Sequence, residues 1–212
     1  MPAPINSILT TFTGSDEDPL SEGGTWQPNP MQPSSSRLRR VSNQCARHVT
    51  LGVSEGVWDT NYNEIQEAFM FIPIQPRSGL GDLRSIVLCR IQNENTASYI
   101  GYFGGWCNNL GRFEIGRHSS SGAVLAFSAG TFTNGDGVWL TVNGTSLELF
   151  HKAGASDWVS VVTVTDSSVV GAGKIGIYLE DDQARVDDFG GGEVTAAAEK
   201  QSLYVSRRRS WR

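Results

Sequence analysis

The sequence has no run of about 18 consecutive apolar residues, which excludes a membrane-spanning helix. Charge is sparse: 18% of the residues are Asp, Glu, Lys or Arg, against 39% hydrophobic residues and 24 glycines. That balance suits a turn-rich globular β protein better than a disordered chain or a helical bundle. The three cysteines, Cys45, Cys89 and Cys107, show no CxxC spacing and no histidine at metal-ligand distance, so a zinc site is not expected and all three are read as reduced. The first residues, Met-Pro-Ala-Pro-Ile-Asn, lack the basic start and apolar core of a secretory signal, so export, if it occurs, is expected to use another route. No convincing amphipathic helix lies within the body of the chain.

What is present is alternation. Val138 to Phe150 holds two period-two runs around Asn143-Gly144, with Leu140, Val142, Leu147 and Leu149 on one face and Thr141 and Glu148 on the other. This reads as a β-hairpin, with Asn-Gly supplying the positive φ angles of a type I′ turn. The same turn role accounts for the glycosylation sequon Asn143-Gly144-Thr145. A strand pair with one dry face covers it with a second sheet, which points to a sandwich.

Further strands are expected near Ile8 to Thr13, Glu67 to Ile74, Ser85 to Ile91, Ser98 to Phe103, Arg112 to Arg117 and Val124 to Ala129. Trp158 to Thr165, Gly173 to Leu179 and Ala184 to Phe189 complete the series, and Leu38 to Val53 supplies two short strands. The spacing of roughly 8 to 12 residues is that of a sandwich or barrel. Trp26 is expected to plug one end of the core. Gln27 to Ser36, with three prolines and three serines, reads as a surface connection, and Gly79 to Asp82 as a turn.

The net charge of −5 is uneven. Glu199 to Arg212 carries +4, leaving −9 on the 198 residues before it. The expected organisation is therefore one all-β domain over 1–194, a two-sheet antiparallel jelly-roll sandwich, and a C-terminal basic arm over 195–212. Within that arm Ala196 to Tyr204 could form a short helix, and the remainder is extended.

The ends of the body carry a pattern. Ile8-Leu9-Thr10-Thr11-Phe12 followed by Pro19-Leu20 and Trp26, with Gly173 to Tyr178 and Arg185-Val186-Asp187-Asp188-Phe189 at the other end, resembles the concanavalin A-like lectin/glucanase superfamily. More narrowly, it resembles laminin-G-like jelly-roll modules in virion proteins of tailed bacteriophages. The resemblance implies that first and last strands lie side by side, with Phe12 and Phe189 facing the core. It also implies a non-enzymatic structural subunit on the head or tail of a virion, assembled as a homo-oligomer with other virion proteins. The alternative it leaves open is a carbohydrate-binding module for host adhesion.

A glycosidase on such a fold needs two carboxylates about 5 to 5.5 Å apart for retention, or about 6.5 to 9.5 Å for inversion. No Glu-x-Asp-x-Glu-like run exists here. Glu64 and Glu67 would point to opposite faces of a strand, and the adjacent pairs Asp181-Asp182 and Asp187-Asp188 diverge. No catalytic residue is assigned. His48, His118 and His151 lie in separate segments without a nucleophile partner and read as surface or sandwich-edge residues. No cofactor is required, although Asp16, Asp18, Asp181 and Asp182 could offer calcium hard oxygen ligands, against a plain reading as solvated acidic turns.

For sugar, Trp106 with Asn108 and Asn109 has the chemistry of a stacking platform, against a packing role for the indole. Arg207, Arg208, Arg209 and Arg212 around Trp211 could dock on an acidic protein surface, against a role as a solubilising end. The acidic body argues against nucleic acid.

Overall fold

The computed structural model describes residues 2–28, 37–48, 53–77, 83–93 and 98–195. The chain beyond 195, including the expected helix and Arg207, Arg208, Arg209, Trp211 and Arg212, lies outside the described residues.

Fifteen strands are present among the described residues. The first half holds β1 (Ile8–Thr10), β2 (Trp26–Pro28), β3 (Leu38–Val41), β4 (Gln44–Arg47), β5 (Ser54–Trp58), β6 (Gln66–Ile74) and β7 (Arg84–Gln92). The second holds β8 (Ile100–Cys107), β9 (Arg112–Ser119), β10 (Ala123–Ala129), β11 (Asp136–Asn143), β12 (Ser146–Lys152), β13 (Val159–Thr165), β14 (Lys174–Leu179) and β15 (Arg185–Glu193). They form two antiparallel sheets. One runs β13-β12-β11-β6-β15-β4-β3, with β1 added on β15; the other runs β10-β9-β8-β7-β14-β5-β2.

The hairpin of β11 and β12 pairs Leu140 with Leu149 and Val142 with Leu147, and all four side chains are buried between the sheets. Its turn differs from expectation. Asn143 pairs with Ser146 as the last rung, so Gly144 and Thr145 are the loop, and Gly144 alone has a positive φ, 58°. Glycine at the first of two loop positions is the type II′ pattern. Two successive positive φ values, the type I′ requirement, occur instead at Ser42 and Asn43 between β3 and β4, at 53° and 61°.

β1 pairs with β15, so the first and last strands lie side by side. Phe12 and Phe189 are fully buried, and both rings meet Trp26, at centroid separations of 6.0 and 5.1 Å. Trp26 thereby closes one end of the core. The inner faces interdigitate in one apolar cluster that includes Val87, Tyr102, Trp106 and Ile177 from one sheet and Met70, Leu140 and Val186 from the other.

Candidate functional site

Because side chains alternate along a strand, each inward residue of the β10–β2 sheet implies an outward neighbour. Val87, Tyr102, Ile115 and Ile177 point into the sandwich, and Ile86, Phe103 and Tyr178 form a separate cluster on the outer face with Val57 and Leu88. One cross-strand row on that face runs Glu55, Tyr178, Ile86, Gly105, Glu114.

His118 projects from β9 and Glu55 from β5, with β8, β7 and β14 between them. A flat sheet would hold those strands about 19 Å apart, four spacings of about 4.8 Å. Their side chains nevertheless meet, with Nε2 of His118 3.1 Å from Oε2 of Glu55. The sheet therefore curls, and its outer face is concave. Glycines make room for the curl: a Cβ at Gly116 would fall 2.3 Å from the Phe103 ring, and one at Gly105 2.8 Å from Cγ2 of Ile86.

The concavity holds a groove of about 340 Å³, lined by Tyr99, Phe103, His118, Tyr178, Arg84 and Glu180 among others. The imidazole of His118 sits between the rings of Tyr99 and Tyr178, 5.3 and 5.4 Å away. Glu55 is fully buried and His118 7% exposed. Their 3.1 Å contact is out of line for a hydrogen bond, and among the described residues both carboxylate oxygens and Nε2 have no hydrogen-bond partner. A buried, under-coordinated polar pair beside an aromatic groove is costly to the fold alone and is a common mark of a binding site.

The other charges on this face are matched. Nε of Arg84 donates to Oε2 of Glu114 at 2.9 Å, and Nε of Arg112 to Oε1 at 2.6 Å, so both oxygens of that carboxylate are taken. Glu180 accepts from the Arg84 backbone N–H and the Tyr178 hydroxyl, each at 2.9 Å. Burial opposes the Arg84 charge, but the Glu114 and Glu180 carboxylates outweigh it and hold the guanidinium above its ordinary range. Burial, reinforced by the Glu55 charge, raises the Tyr99 phenol, and burial with the Glu180 and Glu55 charges raises Tyr178. Both tyrosines are thus kept protonated as hydroxyl donors.

The structure places the sequence-derived candidates elsewhere. Trp106 is on the inner side of β8, 3% exposed, stacked on Phe132 at 5.4 Å and packed on Phe113 at 5.0 Å. It is core, and no face of the indole is free for a sugar. Asn108 accepts from the Trp106 indole N–H and donates to the Pro76 carbonyl at 2.6 Å, tying the β8–β9 turn down; Asn109 lies half-buried beside it. Asp16 accepts from the Ser42 N–H, and Asp18 faces His48 at 3.4 Å. Asp181 and Asp182 are both engaged by Arg77, at 3.2 and 2.5 Å. Among the described residues no three His, Cys, Asp or Glu side chains gather as a metal site. His118, expected at a surface or edge, is instead buried in the groove wall. The signal for it was the alternation Glu114, Gly116, His118 along one face of β9.

No protein-family model and no curated protein matches the chain. Solved structures do. The carbohydrate-binding module CBM66 from Bacillus subtilis superposes with a TM-score of 0.62 at 11% identity, covering 80% of this chain and 96% of that one. The VIP36 exoplasmic/lumenal domain, in its Ca2+/Man3GlcNAc-bound form, gives 0.58 at 10% identity over 91% and 90%. Basic winged bean lectin with Tn-antigen gives 0.54 at 9% over 84% and 96%. The fold is a lectin jelly roll. At these identities the likeness is one of architecture, and nothing in it links the chain to phage virion proteins.

Proposed function

We propose that the chain is a non-catalytic carbohydrate-binding module that takes a glycan into the concave groove. The observation that carries this reading is the buried Glu55–His118 pair, short of hydrogen bonds, set behind an aromatic wall of Tyr99, Phe103 and Tyr178. Sugars present both apolar ring faces and hydroxyl donors, and such a wall meets both. The lectin-type neighbours support a glycan ligand over a purely structural subunit role. Glu114 and Glu180 are locked to Arg84 and Arg112, which leaves no free carboxylate pair on this face among the described residues and weighs against hydrolysis. On a virion, the setting the family resemblance implies, the ligand would be a host-surface glycan.

The test is a glycan array followed by titration calorimetry on the best binder. The proposal expects saturable binding that falls at least tenfold in Tyr99→Ala and His118→Ala, each folded by circular dichroism. Absence of any glycan binding, or binding unchanged in both variants, would overturn it.

A further inference from the structure

The sheet that does not carry the concave groove has an outer face of its own. On it Phe69, Trp139, Phe150 and Trp158 form an aromatic cluster, separate from the core because Met70, Leu140 and Leu149 alternate with them and point inward. Beside the cluster the face opens into a second groove of about 570 Å³, floored by Trp139 and Phe150 and bordered by Ile5, Ile65 and Val194. Ile5 is 40% exposed there. A hollow of about 530 Å³ adjoins this groove, with Ile65 and Val194 common to both.

Charge on these walls is of one sign. Glu67 and Glu148 line the groove and Glu64 and Glu193 the hollow, with no lysine, arginine or histidine in either lining. None of the four carboxylates makes a salt bridge among the described residues. Glu67 accepts from neutral donors, the Ile5 and Asn6 N–H groups, the Asn6 amide and the Trp139 indole N–H, at 2.6 to 3.1 Å. Those bonds hold Ile5 at the groove's rim. Arg90 lies near Glu64, but its guanidinium donates to the Glu64 and Val169 backbone carbonyls.

We propose that this groove is the seat of the chain's own basic segment, Ser206 to Arg212, with Trp211 against the apolar residues and the arginines on the carboxylates. Charge selects this occupant. Glu199 to Arg212 carries +4, and arginine is the side chain best matched to carboxylates in bidentate pairing. Reach selects it as well. Val194 borders the groove and exposed Thr195 lines the hollow, so residues 196–212 continue from its rim. From β15 the groove crosses β6 and β11 to β12, three strand spacings or about 14 Å, and an extended chain from Thr195 to Ser206 spans about 36 Å. A tether of that length holds its end at an effective concentration on the order of millimolar, so a separate basic partner competes at a disadvantage. The two grooves lie on opposite sheets, and this seat is independent of any glycan.

Photo-cross-linking of the full chain, with a benzophenone side chain introduced at Ser210, tests this by mass spectrometry. Cross-links are expected within single chains, to Ile5 and to the segment from Trp139 to Phe150. Their yield should fall at least fivefold when Glu148→Lys and Glu193→Lys are combined. It should fall as far when Arg207→Glu, Arg208→Glu and Arg209→Glu are combined, a variant that leaves residues 1–195 untouched and decides the matter if the first does not fold. Cross-links that join two chains, that scatter over the body or that gather at Tyr99 and Tyr178 would each overturn the proposal. So would a yield unchanged in either variant that folds.

Discussion

Nε2 of His118 and Oε2 of Glu55 lie 3.1 Å apart although three strands separate the backbones that carry them. The contact clamps the curl of the sheet. Removing one partner strands the other in a dry site, which costs about 3–5 kcal/mol for a buried pair. Glu55→Ala and His118→Ala are each expected to lose stability on that scale in urea unfolding. The double variant should lose clearly less than their sum, because the second deletion removes the orphan left by the first. Additive losses would show that the two groups do not interact.

Acid should weaken the other end of the sandwich. Asp136 is 2% exposed; burial alone would raise its pKa, but the Thr133 and Gly154 N–H groups and His151 hold it below its ordinary value of 3.8. A carboxyl with a depressed native pKa contributes stability that is complete above the unfolded value and lost as pH falls through the native one. Asp136→Asn is therefore expected to be less stable than wild type by about 1–3 kcal/mol at neutral pH. The gap should close below the unfolded pKa as the wild-type carboxyl protonates. Denaturant unfolding as a function of pH measures it, and a gap that widens in acid would contradict the assignment.

Gly116 has no positive φ, so alanine meets no backbone strain there, only volume. Its Cβ would fall 2.3 Å from the Phe103 ring and 2.4 Å from the Ala123 carbonyl. Gly116→Ala is expected to cost about 1–3 kcal/mol, the usual range for overpacking, and to push Phe103 into the groove. Unfolding midpoints and glycan affinity should fall together. A fully stable variant would mean that β10 yields more easily than its pairing with β9 suggests.

The architecture was legible because alternation is local. Leu140, Val142, Leu147 and Leu149 announce their shared face within ten residues, and Phe12 and Phe189 mark the paired ends. The turn type was less so: Asn143-Gly144 is a strong type I′ signal, but Asn143 was drawn into the ladder and the loop slipped by one residue. The groove was not legible, since Glu55 and His118 meet only through the accumulated curl of five strands. Trp106 misled for a related reason. Its position on β8 gives it the same parity as Tyr102, which points inward, and parity decided its face where composition suggested a platform. Arg90 gave no signal at all: a left-handed φ of 52° turns it inward, where it donates to the Glu64 and Val169 carbonyls at 2.7 and 2.8 Å.

The pairing of β1 with β15 also sets how the body would respond to being pulled. The strands are antiparallel, and Asn6 reaches the Glu193 carbonyl, so both flanks leave the sandwich at the same end, side by side. Tension applied through the two flanks opens this seam one rung at a time, as a zipper, instead of loading all its hydrogen bonds together in shear. The body is mechanically soft where its two flanks leave it, with the groove's sheet outside the line of force.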